Sequence, residues 1–231
     1  MNAPVMRYKA LTGGYGSIAV VRDVSGCIKA GECLCILGRN GVGKSTLIKL
    51  LSGHLPVISG DIEFNGQSLL GMSPDRRQAL GVSVGLQERP VFDGLSVQDN
   101  LTLMQSKPRL DPFEPYFDAF PVLKKRLDQL AGTLSGGERK ILSFVRAMKD
   151  NAPVTLLDEP SEGVQPENVA HMASLIRSAK SEGRAFLVVE QHLYLVEQIA
   201  DAFQGLDNGS VVLEGTPDTL CRSELIASIS V

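Results

Sequence analysis

Three stretches of the chain are apolar at nearly every position: "CLCILG" (33–38), "VTLLD" (154–158) and "AFLVVE" (185–190). Unbroken apolar runs of this length, bounded by turn residues, predict parallel strands covered on both faces. Between the last two, "PENVAHMASLIRSAKSEG" opens with Pro166 and closes with Gly183. Proline in a first helical turn and glycine past the last one predict a helix there. Strand, helix and strand in that order form a crossover unit, and hence an α/β core.

Other parts of the chain are patterned differently. "SGDIEFNGQSL" and the N-terminal segment alternate and turn like antiparallel strands, with a tight hairpin at Asn65–Gly66. "LDNGSVVLEG" predicts a further hairpin turning at Asn208–Gly209. Residues 88–150 read as a helical insertion between core strands. Ser96 and Asp99 in "LSVQDNLTLM" have capping-box spacing, and "FDAFPVLKKRLDQL" carries apolar residues at roughly helical spacing. The expected organisation is a single domain over 1–231. Residues 1–87 hold the antiparallel part and the first core elements, 88–150 the helical part, and 151–231 the rest of the core.

At 231 residues the chain is long enough for a substantial core, and 43% hydrophobic with 21% charged residues is an ordinary globular balance. A net charge of −3 carries no basic excess, so nucleic acid is not an expected partner. No apolar run approaches the roughly eighteen residues of a membrane helix. The first ten residues, "MNAPVMRYKA", lack the apolar core of a signal peptide, so a cytosolic location is expected. Cys33 and Cys35 lie inside an apolar run, and Cys27 and Cys221 are isolated. Without a second pair at zinc-site spacing, Cys33 and Cys35 read as small apolar core residues.

Chemistry enters just after the first apolar run. Gly38-Arg39-Asn40-Gly41-Val42-Gly43-Lys44-Ser45 fits G-x-x-x-x-G-K-S at every position, with Thr46 next, and "STLIKLLSG" continues as a helix. Glycines let main-chain N–H groups wrap a phosphate, Lys44 sets a charge against the terminal phosphates, and Ser45 offers its hydroxyl to Mg²⁺. The pattern predicts a bound nucleoside triphosphate.

Asp158 closes "VTLLD", where a carboxylate can hold the Mg²⁺ shell, and Glu159 can orient or deprotonate an attacking water. The bland alternative for the pair is helix capping. It loses ground because the phosphate loop is expected on a neighbouring strand. His192 follows "AFLVVE" at the strand edge where ligands of open α/β sheets bind, so it can meet the γ-phosphate or the water. Gln87 ends another apolar run and is either a member of the Mg²⁺ or water shell or a polar strand terminus. Tyr15, in "GGYGS", either stacks on an adenine or fills a turn; His54 and His171 read as structural.

A second phosphate-type turn appears in "LSGGERK" (134–140), where Ser135, Gly136 and Gly137 precede an amphipathic segment. Taken together, the loop at 38–46, Gln87, "LSGGE", the Asp158–Glu159 pair and "QH" at 191–192 resemble, in order, the motifs of ABC-transporter ATPases. The resemblance covers essentially the whole chain. It implies the phosphate-loop NTPase fold of that family: an α/β core with a mixed, mostly parallel sheet, an antiparallel β subdomain and an inserted α-helical subdomain.

It also implies roles. Tyr15 corresponds to the adenine-stacking aromatic, Ser45, Gln87 and Asp158 to the Mg²⁺ shell, Glu159 to the catalytic base and His192 to the switch histidine. ATP and Mg²⁺ are the implied ligands. Ser135, Gly136 and Gly137 are expected to grip the nucleotide of a second ATPase subunit in a head-to-tail pair, homomeric or heteromeric. Wording such as "LPVISGDIEFNGQSLLGMSP" and "DEPSEGVQP" is similar to the shorter ATPase of branched-chain amino acid importers, with urea and short-chain amide importers close by and exporters as a further possibility. Such a subunit lies on the inner face of the membrane against permease subunits, indirectly served by a solute-binding protein. The permease is expected to dock near Glu88 to Leu95. Two positions depart from the family's common wording: Glu138 replaces a glutamine, and Gln165 stands where an aspartate is usual.

Overall fold

The structure is a computed structural model that describes residues 4–219 and 223, apart from 89, 104 and 106. Cys221, read above as isolated, lies outside the described residues. In chain order the elements are β1 (Pro4–Tyr15), β2 (Ile18–Lys29), β3 (Cys33–Leu37), α1 (Lys44–Ser52), β4 (Val57–Phe64), β5 (Gln67–Ser68), α2 (Pro74–Leu80) and β6 (Val82–Gly85). The helical segment follows with α3 (Val97–Thr102), α4 (Glu114–Ala119), α5 (Pro121–Lys125) and α6 (Gly136–Met148). The core then resumes as β7 (Val154–Asp158), α7 (Pro166–Ser181), β8 (Ala185–Glu190), α8 (Leu193–Ile199), β9 (Ala202–Asp207) and β10 (Ser210–Gly215).

Two sheets carry the fold. The antiparallel one runs β2-β1-β4-β5, and the core sheet runs β10-β9-β3-β8-β7-β6, parallel except for β10 against β9. The central strands β3, β7 and β8 are buried on both faces, and their period-two alternation divides them between two apolar cores. In β3, Leu34 and Ile36 join α1 and the antiparallel sheet, whereas Cys33, Cys35 and Leu37 face the helical layer of α6, α7 and α8. Both cysteines are thus fully buried strand residues.

One expectation needs correction. The loop-bearing strand β3 and the acidic strand β7 are not neighbours, because β8 pairs with both and separates them. What joins their chemistry is α1, whose first turn reaches across β8.

The helical segment has no core of its own. Val97, Leu101, Phe113, Phe117, Phe120 and Leu123 pack in one continuous cluster with the inner face of α6. The apolar period of "FDAFPVLKKRLDQL" is divided at Phe120, which caps α4 and precedes the Pro121 start of α5; proline lacks the N–H needed to continue a helix. Of the box expected at Ser96 only one half forms. Ser96 Oγ accepts from the Asp99 N–H at 3.0 Å but donates to Asp99 Oδ2 at 2.6 Å. Aspartate is one methylene shorter than the glutamate of a full box. The full reciprocal box occurs instead at Ser135 and Glu138.

Candidate functional site

The chain leaves the buried strand β3 at Leu37 and turns through residues 38–43 into α1. Gly41 (φ 84°) and Gly43 (φ 111°) hold left-handed conformations that side-chain-bearing residues adopt at a cost. Gly43 caps α1 and offers no side chain to bond its first amides, which keeps those N–H groups free for an anion. Arg39, Asn40 and Gly41 are exposed, Val42 is half-buried against the second core, and Thr46 is buried in the first turn.

Lys44 is buried within the loop. Its Nζ donates to Gly38 O at 2.8 Å and Arg39 O at 3.0 Å, and lies 3.1 Å from Glu159 Oε1. One residue on, Ser45 Oγ donates to Asp158 Oδ1 at 2.9 Å. Asp158 is buried at the end of β7, and that burial raises its carboxyl above the usual carboxylate range. Glu159 follows in a left-handed conformation, φ 46°, tied by its N–H to Val189 O at 3.0 Å. A positive φ is uncommon in a residue that carries a side chain, and here the hydrogen bond to β8 helps to hold it.

Gln87 reaches the same place. Its Nε2 donates to Glu159 Oε2 at 2.9 Å and to Glu162 Oε2 at 2.8 Å. Lys44, Gln87 and Glu159 therefore form one connected set, and the bonded pair Ser45 and Asp158 stands directly beside it in the chain. Tyr15 is half-exposed beside α1, its hydroxyl accepting from Lys49 Nζ at 3.3 Å while Lys49 also holds Glu88 at 2.8 Å. His192 caps α8 without a side-chain cap bond, is exposed, and lies near enough to act electrostatically on Glu162. His54 bonds Ser52 Oγ through Nδ1 at 2.8 Å, and His171 packs edge-on against Phe120.

Several participants were not read from the sequence. Glu162 accepts from Gln87 and from Lys140 Nζ, and Lys140 also donates to Glu159 O at 3.0 Å. The Gln87 hydrogen bond, reinforced by Lys140 and His192, holds Glu162 below the usual carboxylate range. Glu190, buried at the end of β8, accepts at Oε1 from both the N–H (2.9 Å) and Oγ (2.7 Å) of Ser161, and so clamps the turn after Glu159. Its position in "VVEQH" made it look like one more strand residue.

The serine-glycine turn lies elsewhere. Ser135 caps α6, its Oγ accepting from the Glu138 N–H at 3.3 Å while Glu138 Oε2 accepts from the Ser135 N–H at 2.9 Å. A Cβ on Gly137 would come within 2.8 Å of Gly163 O, so this glycine permits α6 to sit against the turn that follows Glu159. Ser135, Gly136, Gly137, Lys140 and Glu162 line an open cavity of about 740 Å³ that includes no residue of the 38–46 loop. A second groove of about 640 Å³ opens between β6 and α6, beside Leu86, Pro90 and Phe92. There Arg146 donates to Pro90 O at 3.1 Å and covers the exposed Phe92 ring at 4.9 Å.

The donor set can be tested against Mg²⁺. Ser45 and Asp158 present oxygens, which suit a hard cation. Among the described residues no group of three or more His, Cys, Asp or Glu could hold a metal. Mg²⁺ typically takes one or two carboxylates and completes its shell with phosphate oxygens and water, so the residues fit a cation that arrives with a nucleotide.

Comparison with known proteins agrees with this chemistry. A family model described as "ABC transporter" matches residues 21–162. The chain is 35% identical over 206 residues to the high-affinity branched-chain amino acid transport ATP-binding protein BraG of Pseudomonas aeruginosa, covering 87% of this chain and 88% of that one. It is 32% identical over 225 residues to a probable branched-chain amino acid transport ATP-binding protein, LivF, of Archaeoglobus fulgidus, covering 95% of each. Among solved structures, the ATP-binding subunit of an ABC transporter superposes with a TM-score of 0.84 at 25% identity, over 96% of this chain and 98% of that one. No helix among the described residues is long and apolar enough to cross a membrane. The chain belongs to the ABC transporter family as an ATP-binding subunit, an ATPase of that fold.

Proposed function

We propose that this subunit powers uptake of branched-chain or other hydrophobic amino acids through a separate membrane permease. The solute class rests on the likeness to BraG and LivF; urea or short-chain amide import and export are the alternatives. The observation that carries the catalytic part is the single connected set Lys44, Glu159 and Gln87 beside Ser45 and Asp158.

In this reading ATP lays its phosphates in the 38–46 loop, its base against Tyr15, and draws Lys44 toward the γ-phosphate. Glu159, no longer neutralised by Lys44, turns its carboxylate to a water and accepts its proton as the water attacks the γ-phosphorus and the bond to the bridging oxygen breaks, releasing ADP and phosphate. His192, at the same sheet edge, holds the γ-phosphate or that water. A Mg²⁺ held by Ser45, Asp158 and Gln87 would neutralise charge developing on the phosphates.

The cavity at Ser135, Gly136 and Gly137 is a half-site for a nucleotide carried by a second ATPase subunit. It has the N–H groups and helix N-terminus for a phosphate, yet no residue of this chain's own loop lines it. Two subunits then enclose two ATP, head to tail. The groove beside Pro90, Phe92 and Arg146 extends the expected docking segment, Glu88 to Leu95, and receives the permease. A peripheral position on the inner face of the membrane follows.

Uptake of labelled leucine, of urea and of acetamide in a strain deleted for this gene tests the assignment. Loss of leucine uptake restored by the intact gene supports it. Unchanged leucine uptake with loss of urea or amide uptake would assign the alternative solute class.

A further inference from the structure

Gln87 Nε2 has two hydrogens, and two different carboxylates take them: Glu159 at 2.9 Å and Glu162 at 2.8 Å. With both N–H groups committed, the plane of the carboxamide is fixed. The Glu162 oxygen that accepts from Gln87 also lies 3.3 Å from Lys140 Nζ. Lys140 stands in the second turn of α6, behind Ser135, and its other bond goes to the main-chain oxygen of Glu159 at 3.0 Å. Glu162 closes the circuit through its own N–H, 3.3 Å from the same oxygen.

Resting on the catalytic reading above, we infer that Glu162, anchored by Lys140, is a positioning residue for hydrolysis that orients the Gln87 carboxamide against Glu159. The same two side chains line the cavity at the serine-glycine turn. A displacement of α6 when a nucleotide is gripped there is therefore carried by Lys140 to Glu162, and from Glu162 to Gln87. Each chain thus couples its loop half-site to its signature half-site by a charged strut. Glu162 acts in this scheme through Gln87 rather than on the water or phosphate of its own chain's site.

A kinetic cycle tests the inference. Glu162→Ala is expected to lower kcat for ATP by about 10- to 100-fold through misorientation, with KM and binding of a fluorescent ATP analogue within about twofold of the parent. Glu162→Gln, which keeps one acceptor oxygen, should recover part of the loss, and Lys140→Met should reproduce a smaller one. The deciding measurement is Gln87→Ala combined with Glu162→Ala. If Glu162 acts through Gln87, the double variant is no slower than Gln87→Ala alone. Multiplying losses, or a parental kcat in Glu162→Ala, would overturn the role. Glu159→Gln assayed in parallel separates the two levels. Parental turnover there defeats the catalytic reading itself, whereas an inactive Glu159→Gln with multiplying losses in the cycle defeats only the role of Glu162.

Discussion

Lys44 Nζ and Glu159 Oε1 lie 3.1 Å apart, with 3% and 8% of their side chains exposed. In the proposed mechanism, the cation that would hold phosphate and the carboxylate that would take the water's proton thus neutralise one another across the site. A charge pair this well buried is strongly coupled, and removing one partner leaves the other uncompensated. On that proposal a triphosphate competes with Glu159 for Lys44, and its success in that competition releases the base.

Glu159→Gln should accordingly lower ATP turnover by about 10²- to 10⁴-fold, the usual reach of a positioned base, while nucleotide binding stays intact or tightens. Because Lys44 loses its counter-charge, the variant alone should melt below the parent and gain more from added ATP. Phosphate release and thermal unfolding with and without nucleotide measure both. The variant should also accumulate as an ATP-bound dimer on gel filtration. Turnover at the parental rate would remove Glu159 from its role.

Ser135→Arg tests the half-site at the head of α6. The substitution deletes an N-cap acceptor, worth about 1 kcal/mol, and fills the cavity mouth with a long cation. A fall in Tm of about 2–4 °C is expected for a chain of this size. ATP binding by the single subunit should match the parent, because no residue of its own loop lines that cavity. Turnover and ATP-dependent dimerisation should both be lost; retained turnover would mean the turn grips no nucleotide.

The phosphate loop, the acidic strand end and the serine-glycine turn were legible because each needs particular residue types at fixed spacing. The strands of the core were legible because burial on both faces leaves unbroken apolar runs. The order of those strands was not, since nothing in "VTLLD" or "AFLVVE" says that β8 sits between β3 and β7. Nor were residues whose meaning depends on distant partners. Arg77 carries no signal in the sequence, yet it is buried and donates to Leu50 O, Leu51 O and Leu69 O at 2.8 Å, capping the end of α1. Lys140 and Glu162 likewise lie 22 positions apart and acquire a joint role only once α6 packs against the turn after β7.

Removal of divalent cation tests Ser45 and Asp158 as its proposed oxygen donors. Asp158 and Ser45 bond each other at 2.9 Å, and a buried carboxylate raised by desolvation gains from a cation beside it. Chelation by EDTA should abolish turnover and weaken ATP binding in the parent. Asp158→Asn, which preserves shape and can still accept from Ser45, should show little further response to EDTA in a fluorescent-nucleotide titration. If Asp158→Asn binds nucleotide with the parent's full dependence on Mg²⁺, the cation is held elsewhere.

Glu190 gives a prediction in pH. Burial pushes its carboxyl above the ordinary value of 4.5, against the lowering effect of the Ser161 bonds, and its Oε2 has no hydrogen-bond partner among the described residues. A raised native value means that the folded protein holds this proton more tightly than the unfolded chain does. From about pH 4.5 upward the folded state then binds more protons, so this group's contribution to stability falls as pH rises through the native value. Glu190→Gln removes the titration while keeping an oxygen for Ser161, at the constant cost of a buried amide NH₂ at the unpartnered Oε2 position. The Tm of the variant minus that of the parent should therefore climb in the variant's favour between pH 4.5 and neutrality. Subtracting the two proteins cancels groups common to both, including Asp158. A difference that stays flat over that range would show that Glu190 ionises in the folded protein as easily as in the unfolded chain.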